Sequence, residues 1–133
     1  MTKKTFVYCT FQKEAYHLFP GADTNPEYAT GDEFDVSHLG FRHMHYFNFK
    51  VWVQVTHENR QIEFIQLRRW IERLYATGIL ELDHQSCEMM SDALCEKLKE
   101  KYPGMEIRID ISEEGINGSY TEYLPWYPML KAN

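Results

Sequence analysis

The sequence lacks any apolar run of about 18 residues, the length that a membrane-spanning helix needs. Its start, MTKKTFVYCTF, has neither a long hydrophobic stretch nor a small-residue cleavage site, so the chain reads as neither membrane-spanning nor secreted. Cysteine is scarce: Cys9, Cys87 and Cys95 form an odd, scattered set without a CxxC pair. That excludes a disulfide framework and suits reduced thiols in a cytoplasmic protein. Basic residues are in the minority, 14 Lys and Arg against 20 Asp and Glu, and the net charge is -6. Non-specific nucleic-acid binding rests on a basic surface, so nucleic acid is not the expected partner. There is no phosphate-cradling glycine loop, no serine elbow, no internal repeat and no linker. A chain of 133 residues without such breaks reads as one domain, 1–133.

What the sequence has in quantity is aromatic residues, nine Tyr, eight Phe and three Trp, which suit a sheet-rich core. Residues 5–11, TFVYCTF, read as a strand, and residues 20–41, rich in Gly, Pro, Asp and Asn, as a long loop at the active site. A second strand spans about 43–57. Residues 62–77 place Phe64, Leu67, Ile71 and Leu74 at helical spacing, with Gly78 as a stop. ILELDHQ is a connector. Residues 86–102 form a second helix with Met90, Leu94 and Leu98 on one face and Ser86 as N-cap. MEIRIDI alternates strictly and is a half-buried strand. Asn117-Gly118 signals a hairpin, and SYTEYL returns as the last strand. The tail, 124–133, reads as an irregular segment. The order is β-β-α-α-β-β, an α+β fold.

The stretch FRHMHYFNFKVWVQV concentrates the chemistry. Residues two apart on a strand share a face, so His43 and His45 aim at one place, on the stripe that continues as Phe47, Phe49, Val51, Val53 and Val55. Two imidazoles at the end of a buried stripe need partners, and a shared metal would satisfy both. A catalytic zinc needs a third ligand, for which His17, His38, His57 and His84 are the candidates. Asp83 next to His84 is a candidate proton-transfer dyad. Glu113 and Glu114 follow a buried strand, where a carboxylate can accept two N–H bonds from a guanidine-like ring; for Glu114 a solvated turn is the expectation. Cys87, in the first turn of a helix, is the thiol with the best claim to reactivity, although packing is the commoner role.

Taken in order, these motifs resemble the 6-pyruvoyl-tetrahydropterin synthase and 6-carboxy-tetrahydropterin synthase family from about Phe11 to Tyr123. The family's F-x-A-A-H-x-L is similar to FQKEAYHLFP, and its H-G-H to HMH. Its D-F-x-x-L, LDH and P-T-x-E are matched by EFIQL, Leu82-Asp83-His84 and QSCE. The resemblance implies zinc on His17, His43 and His45, an Asp83-His84 proton shuttle, and substrate contacts from Glu113, Ser86 and Glu88. It implies a tunnelling fold, an antiparallel sheet with two helices on one face that joins other copies into a barrel, often as a hexamer. It also implies lyase chemistry on 7,8-dihydroneopterin triphosphate or another pterin- or purine-like compound. The family's catalytic Cys lies four residues before HxH, and here that position is Leu39, which cannot transfer a proton. Met44 fills the place of the small central glycine.

Overall fold

The computed structural model describes residues 2–32 and 34–125; the last eight residues of the expected irregular tail lie outside the described residues. Strands β1 (Thr5–His17) and β2 (His43–Val55) form one long antiparallel ladder, from Thr5 opposite Val55 to His17 opposite His43. β2 alternates as its sequence demands, with Phe47, Phe49, Val51, Val53 and Val55 buried. β1 runs six residues beyond the expected strand. Its inward row is Cys9, Phe11, Lys13, Ala15 and His17, and the charged Lys13 hides the alternation. The lysine is only half-buried, and its amine reaches the carbonyl of Ala76 at 3.1 Å while its stem lies inward.

Between the strands a single 3-10 turn, Val36–Gly40, interrupts the loop. Helix α1 (Phe64–Glu72) is shorter than its periodicity predicts. Glu63 caps it by accepting from the Gln66 N–H at 2.7 Å. At its far end Leu74 and Tyr75 donate to carbonyls three residues back, which tightens the chain out of the α-helix well before Gly78. Leu67 and Ile71 are therefore buried, whereas Phe64 and Leu74 lie outside the core. Helix α2 (Cys87–Lys101) begins where Ser86 predicts, the hydroxyl accepting from the Met89 N–H at 3.1 Å. Met90, Leu94 and Leu98 are buried with it.

The expected connector carries a two-residue strand, β3 (Leu80–Glu81), that pairs parallel with Ala15 and Tyr16 of β1. Strands β4 (Ile107–Glu113) and β5 (Asn117–Tyr123) complete a sheet of order β3-β1-β2-β4-β5. The sheet is thus mixed rather than purely antiparallel, and it is open: one chain does not close a barrel. The hairpin signal also acts one step away from its expected place. The turn is centred on Glu114 and Gly115, both at positive φ, while Asn117 and Gly118 already belong to β5. Gly118 is needed there because a Cβ would stand 2.2 Å from the Ile111 carbonyl oxygen.

The inward rows of β1, β2 and β4 pack with Leu67 and Ile71 of α1 and Met90, Leu94, Cys95 and Leu98 of α2 in one core, so both helices lie on one face. No helix among the described residues is long and apolar enough to cross a membrane. The phase of α1 is directly testable. Ile71→Ala should destabilise by about 2–5 kcal/mol, as expected for a buried aliphatic side chain. Leu74→Ala should change stability by less than about 1 kcal/mol, because its site is already open to water. Urea unfolding of both variants reads the difference, and equal losses would refute the assigned phase.

Candidate metal centre

The β1–β2 register brings His17 directly across from His43, and His45 lies two residues further along the same face. The three rings meet edge to face, with centroids 4.6, 5.3 and 4.8 Å apart. Each ring turns Nδ1 outward to an acceptor. His17 Nδ1 donates to the Gln85 carbonyl at 2.9 Å, and His43 Nδ1 to the Phe41 carbonyl at 2.7 Å. His45 Nδ1 lies 2.9 Å from both oxygens of Glu114. These acceptors fix the proton on Nδ1 and leave the Nε2 lone pairs facing inward, the arrangement that outer partners impose on metal-binding histidines.

All three Nε2 atoms are buried and have no hydrogen-bond partner. Glu113, the last residue of β4, brings Oε2 to 2.9 Å from His17 Nε2 and 3.2 Å from His45 Nε2. They are ion pairs when a ring carries a second proton, and with the proton on Nδ1 alone the facing atoms are all acceptors that an ion between them would satisfy. The donor atoms of His17, His43, His45 and Glu113 all lie within 4.8 Å of one another, and the group can hold a metal ion. A tetrahedral ion with bonds of about 2.0–2.1 Å separates its ligand atoms by about 3.3 Å, close to the two carboxylate contacts. Buried nitrogens without partners are rare in folded proteins, and an ion resolves all three at once.

The electrostatics differ from ring to ring. Burial pushes the His43 imidazole below its ordinary range, and the neighbouring His17 and His45 add to this, so it stays neutral. Burial acts the same way on His17, but the Glu113 carboxylate and the Gln85 carbonyl outweigh it, and His17 titrates above its ordinary value. The His17 ring in turn holds Glu113 below the usual carboxylate range.

A cavity of about 570 Å³ opens beside the cluster, with His17, His43 and Glu113 on its wall. The start of α2 supplies Ser86, Cys87, Glu88 and Met89, and Leu18, Phe19, Pro20 and Leu39 give an apolar flank. His84 lines the cavity too. Asp83 does not: it is exposed at positive φ, and its carbonyl accepts the Leu18 N–H at 2.8 Å. No hydrogen bond or ion pair joins the Asp83 and His84 side chains, so the structure brings one of the pair to the cavity and not the other. The Ser86 hydroxyl is engaged as the α2 cap, and Glu88 is exposed in the first turn. His38 and His57 stay outside the cluster.

One site residue is placed differently from its expectation, and one escapes sequence reasoning. Glu113, expected to hold a ring, stands among the metal donors. Glu114, expected to be a solvated turn residue, orients His45 and also accepts the Tyr46 N–H at 3.1 Å. The only local hint was Gly115, which allows the tight turn that sends Glu114 back toward β2. Leu39 lines the cavity as part of its apolar flank.

Cys87 lines the same wall, but burial first, then the nearby carboxylates of Glu113, Glu88 and Asp110, push its thiol up to about 12. A thiol is nucleophilic as its thiolate, so Cys87 should resist alkylation by iodoacetamide at mildly alkaline pH in the native protein and react only after denaturation. Peptide mass mapping checks this, and rapid native labelling would contradict it. Comparison with models of known families and with curated proteins finds no match, so the geometry of the centre itself carries the functional reading.

Proposed function

We propose that this chain is a zinc-dependent, pterin-synthase-like lyase acting on 7,8-dihydroneopterin triphosphate or a related pterin, assembled as a homo-oligomer. One observation carries the reading: three buried, unpartnered Nε2 atoms converge beside a cavity, each ring oriented by an oxygen acceptor on its other nitrogen. His17, His43 and His45 would hold zinc, with Glu113 beside them. Zinc bound there supplies a Lewis acid for the hydroxyl and carbonyl oxygens of a substrate side chain.

The chain's own residues divide the remaining work. His84 is the candidate proton carrier because it lines the cavity as an imidazole without a bonded carboxylate. Asp83 acts on the backbone at Leu18 and so positions the neighbouring wall. Phe19, Pro20, Leu39 and Met89 give the ring an apolar, partly dehydrated bed. Glu88 and the unbonded N–H groups of the first α2 turn offer polar contacts at the opposite side. The open sheet, with β3 and β5 at its edges, supports assembly by edge pairing, and a hexamer follows from the family resemblance.

A second reading has its own support: a divergent zinc enzyme of this fold working on another pterin- or purine-like compound, or a non-catalytic binder of such rings. Leu39 removes the thiol base, and the cavity wall contains no Lys or Arg among the described residues to meet a triphosphate.

Metal analysis of protein purified without added metal should give about one zinc per chain, lost in the His43→Ala, His45→Ala double variant. Absence of metal from the wild type would sink the enzyme reading. With a substrate in hand, His84→Ala should lower kcat/KM by about 10²–10⁴-fold, the usual contribution of a general acid or base, while Asp83→Asn should cost far less. Release of triphosphate from dihydroneopterin triphosphate separates the first reading from the second: product supports the lyase, and zinc without turnover favours the divergent enzyme or binder.

A further inference from the structure

The three metal-facing rings are not held alike. His17 and His43 donate from Nδ1 to neutral backbone carbonyls, of Gln85 at 2.9 Å and of Phe41 at 2.7 Å. Of the three, only His45 has a carboxylate behind it, with both Glu114 oxygens 2.9 Å from its Nδ1. The residue that supplies this carboxylate sits in a turn that does not suit it. The Ile116 N–H donates to the Glu113 carbonyl at 3.0 Å, and the two residues between, Glu114 and Gly115, have φ of +56 and +74. Two central residues at positive φ are the pattern of a type I′ turn, which favours Asn-Gly, Asp-Gly or Gly-Gly. Glutamate brings the Cβ strain that glycine avoids, without the short side chain that lets asparagine relieve it locally. What it adds is reach. The Glu114 N–H donates to the Tyr46 carbonyl at 2.8 Å and its carboxylate accepts the Tyr46 N–H at 3.1 Å, so the side chain lies back across β2 onto the His45 ring. Glycine or asparagine at 114 would suit the backbone and fall short of that ring.

We propose that Glu114 is a positioning residue for the metal: its carboxylate makes His45 the strongest of the three nitrogen donors, and the chain keeps it in a turn whose backbone favours another residue. This rests on the metal-enzyme reading above and adds what sets the grip of that site. An imidazole N–H that donates to an anion leaves more electron density on the opposite nitrogen than one that donates to a carbonyl, so Nε2 becomes the better ligand. The carboxylate also brings negative charge toward a dication, which the two neutral carbonyls cannot do. Adjacent residues then serve the ion in different ways, Glu113 facing it and Glu114 acting through a ring. Glu114 therefore pulls two properties in opposite directions. Its backbone weakens the β4–β5 turn, and its side chain strengthens the metal site. A residue kept only for folding would move both the same way.

Substitution separates the two. Zinc affinity is read by competition with a chromogenic chelator at one neutral pH, and stability by urea unfolding of the metal-free protein. Glu114→Gly removes the carboxylate and the strain together, whereas Glu114→Ala removes the carboxylate and keeps the strain. Both should hold zinc about 10- to 100-fold more weakly than the wild type, the usual effect of losing an outer partner. Without metal, Glu114→Gly should unfold at a urea midpoint no lower than that of the wild type, and Glu114→Ala at a lower one. Glu114→Gln, which keeps the reach and an oxygen acceptor without the charge, should bind zinc with intermediate affinity. Proton NMR of the zinc-saturated protein supplies a readout that turn stability does not move. The His45 Nδ1 proton, held by a carboxylate, should resonate further downfield than those of His17 and His43 and lose that position in Glu114→Gly. Wild-type affinity in Glu114→Gly and Glu114→Ala, or a His45 Nδ1 proton that Glu114→Gly leaves unmoved, would overturn the proposal while leaving the three-histidine centre standing. Affinity that follows the urea midpoint, lost in Glu114→Ala and restored in Glu114→Gly, would reduce Glu114 to a turn residue and overturn it equally. A wild type that binds no zinc would overturn the metal-enzyme reading along with it.

Discussion

The register between β1 and β2 is the constraint on which the structure depends. Thirteen pairs, from Thr5 and Val55 to His17 and His43, set the inward rows of both strands against the helices. Side chains alternate with period two, so a slip by one residue would send Phe47, Phe49, Val51 and Val53 to the other face and carry His45 and His43 away from His17. The same alignment that buries the core builds the centre. Burial gives the register its energy, since Phe47, Val51 and Val53 are completely enclosed and Phe49 nearly so. The histidines add none of that; they ride at the end of a ladder fixed elsewhere.

Much of this was legible from spacing. HMHYFNFKVWVQV announced both its strand and its two convergent imidazoles, and Ser86 announced the start of α2. His17 was not identifiable from spacing alone, because its partnership with His43 is made by a pairing between residues far apart in sequence; the family resemblance supplied it. Long-range pairing also recruited Leu80 and Glu81 into the sheet, where isolated they read as a connector. Lys13 masked the second half of β1, since a charged residue on an inward row breaks the binary pattern while its stem still packs. Glu114 was unreadable for a different reason. Its role follows from a left-handed backbone, φ +56, that turns the side chain back across β2. Such a conformation in a non-glycine residue costs about 1–3 kcal/mol and is found where the surroundings over-determine it.

The centre and the cavity together describe a site that is unusually finished on one side and incomplete on the other. Outer acceptors for three rings, a nearby carboxylate and an apolar bed are all supplied by one chain. The Asp83 carboxylate, by contrast, sits away from the wall that His84 occupies. The clamp at the base of this region is equally local. Arg42 pairs with Glu81 and stacks on Tyr16 at 3.6 Å, tying the start of β2 to the edge strand β3 just beside His43. Exposed ion pairs contribute little to stability, so the value of this one lies in where it holds the chain.

The long segment between His17 and His43 gives the centre a consequence in folding kinetics. Its two ends carry two of the donors, so an ion bound there spans the base of the loop and can form its full set of bonds only once the ladder is assembled. Interactions completed after the rate-limiting step leave the folding rate nearly untouched and slow the reverse reaction. The ion would then act as a latch and not as a nucleus: chevron plots with and without metal would share a folding limb and separate on the unfolding limb. On that view the three unpartnered nitrogens mark where the chain, already folded, is fastened shut.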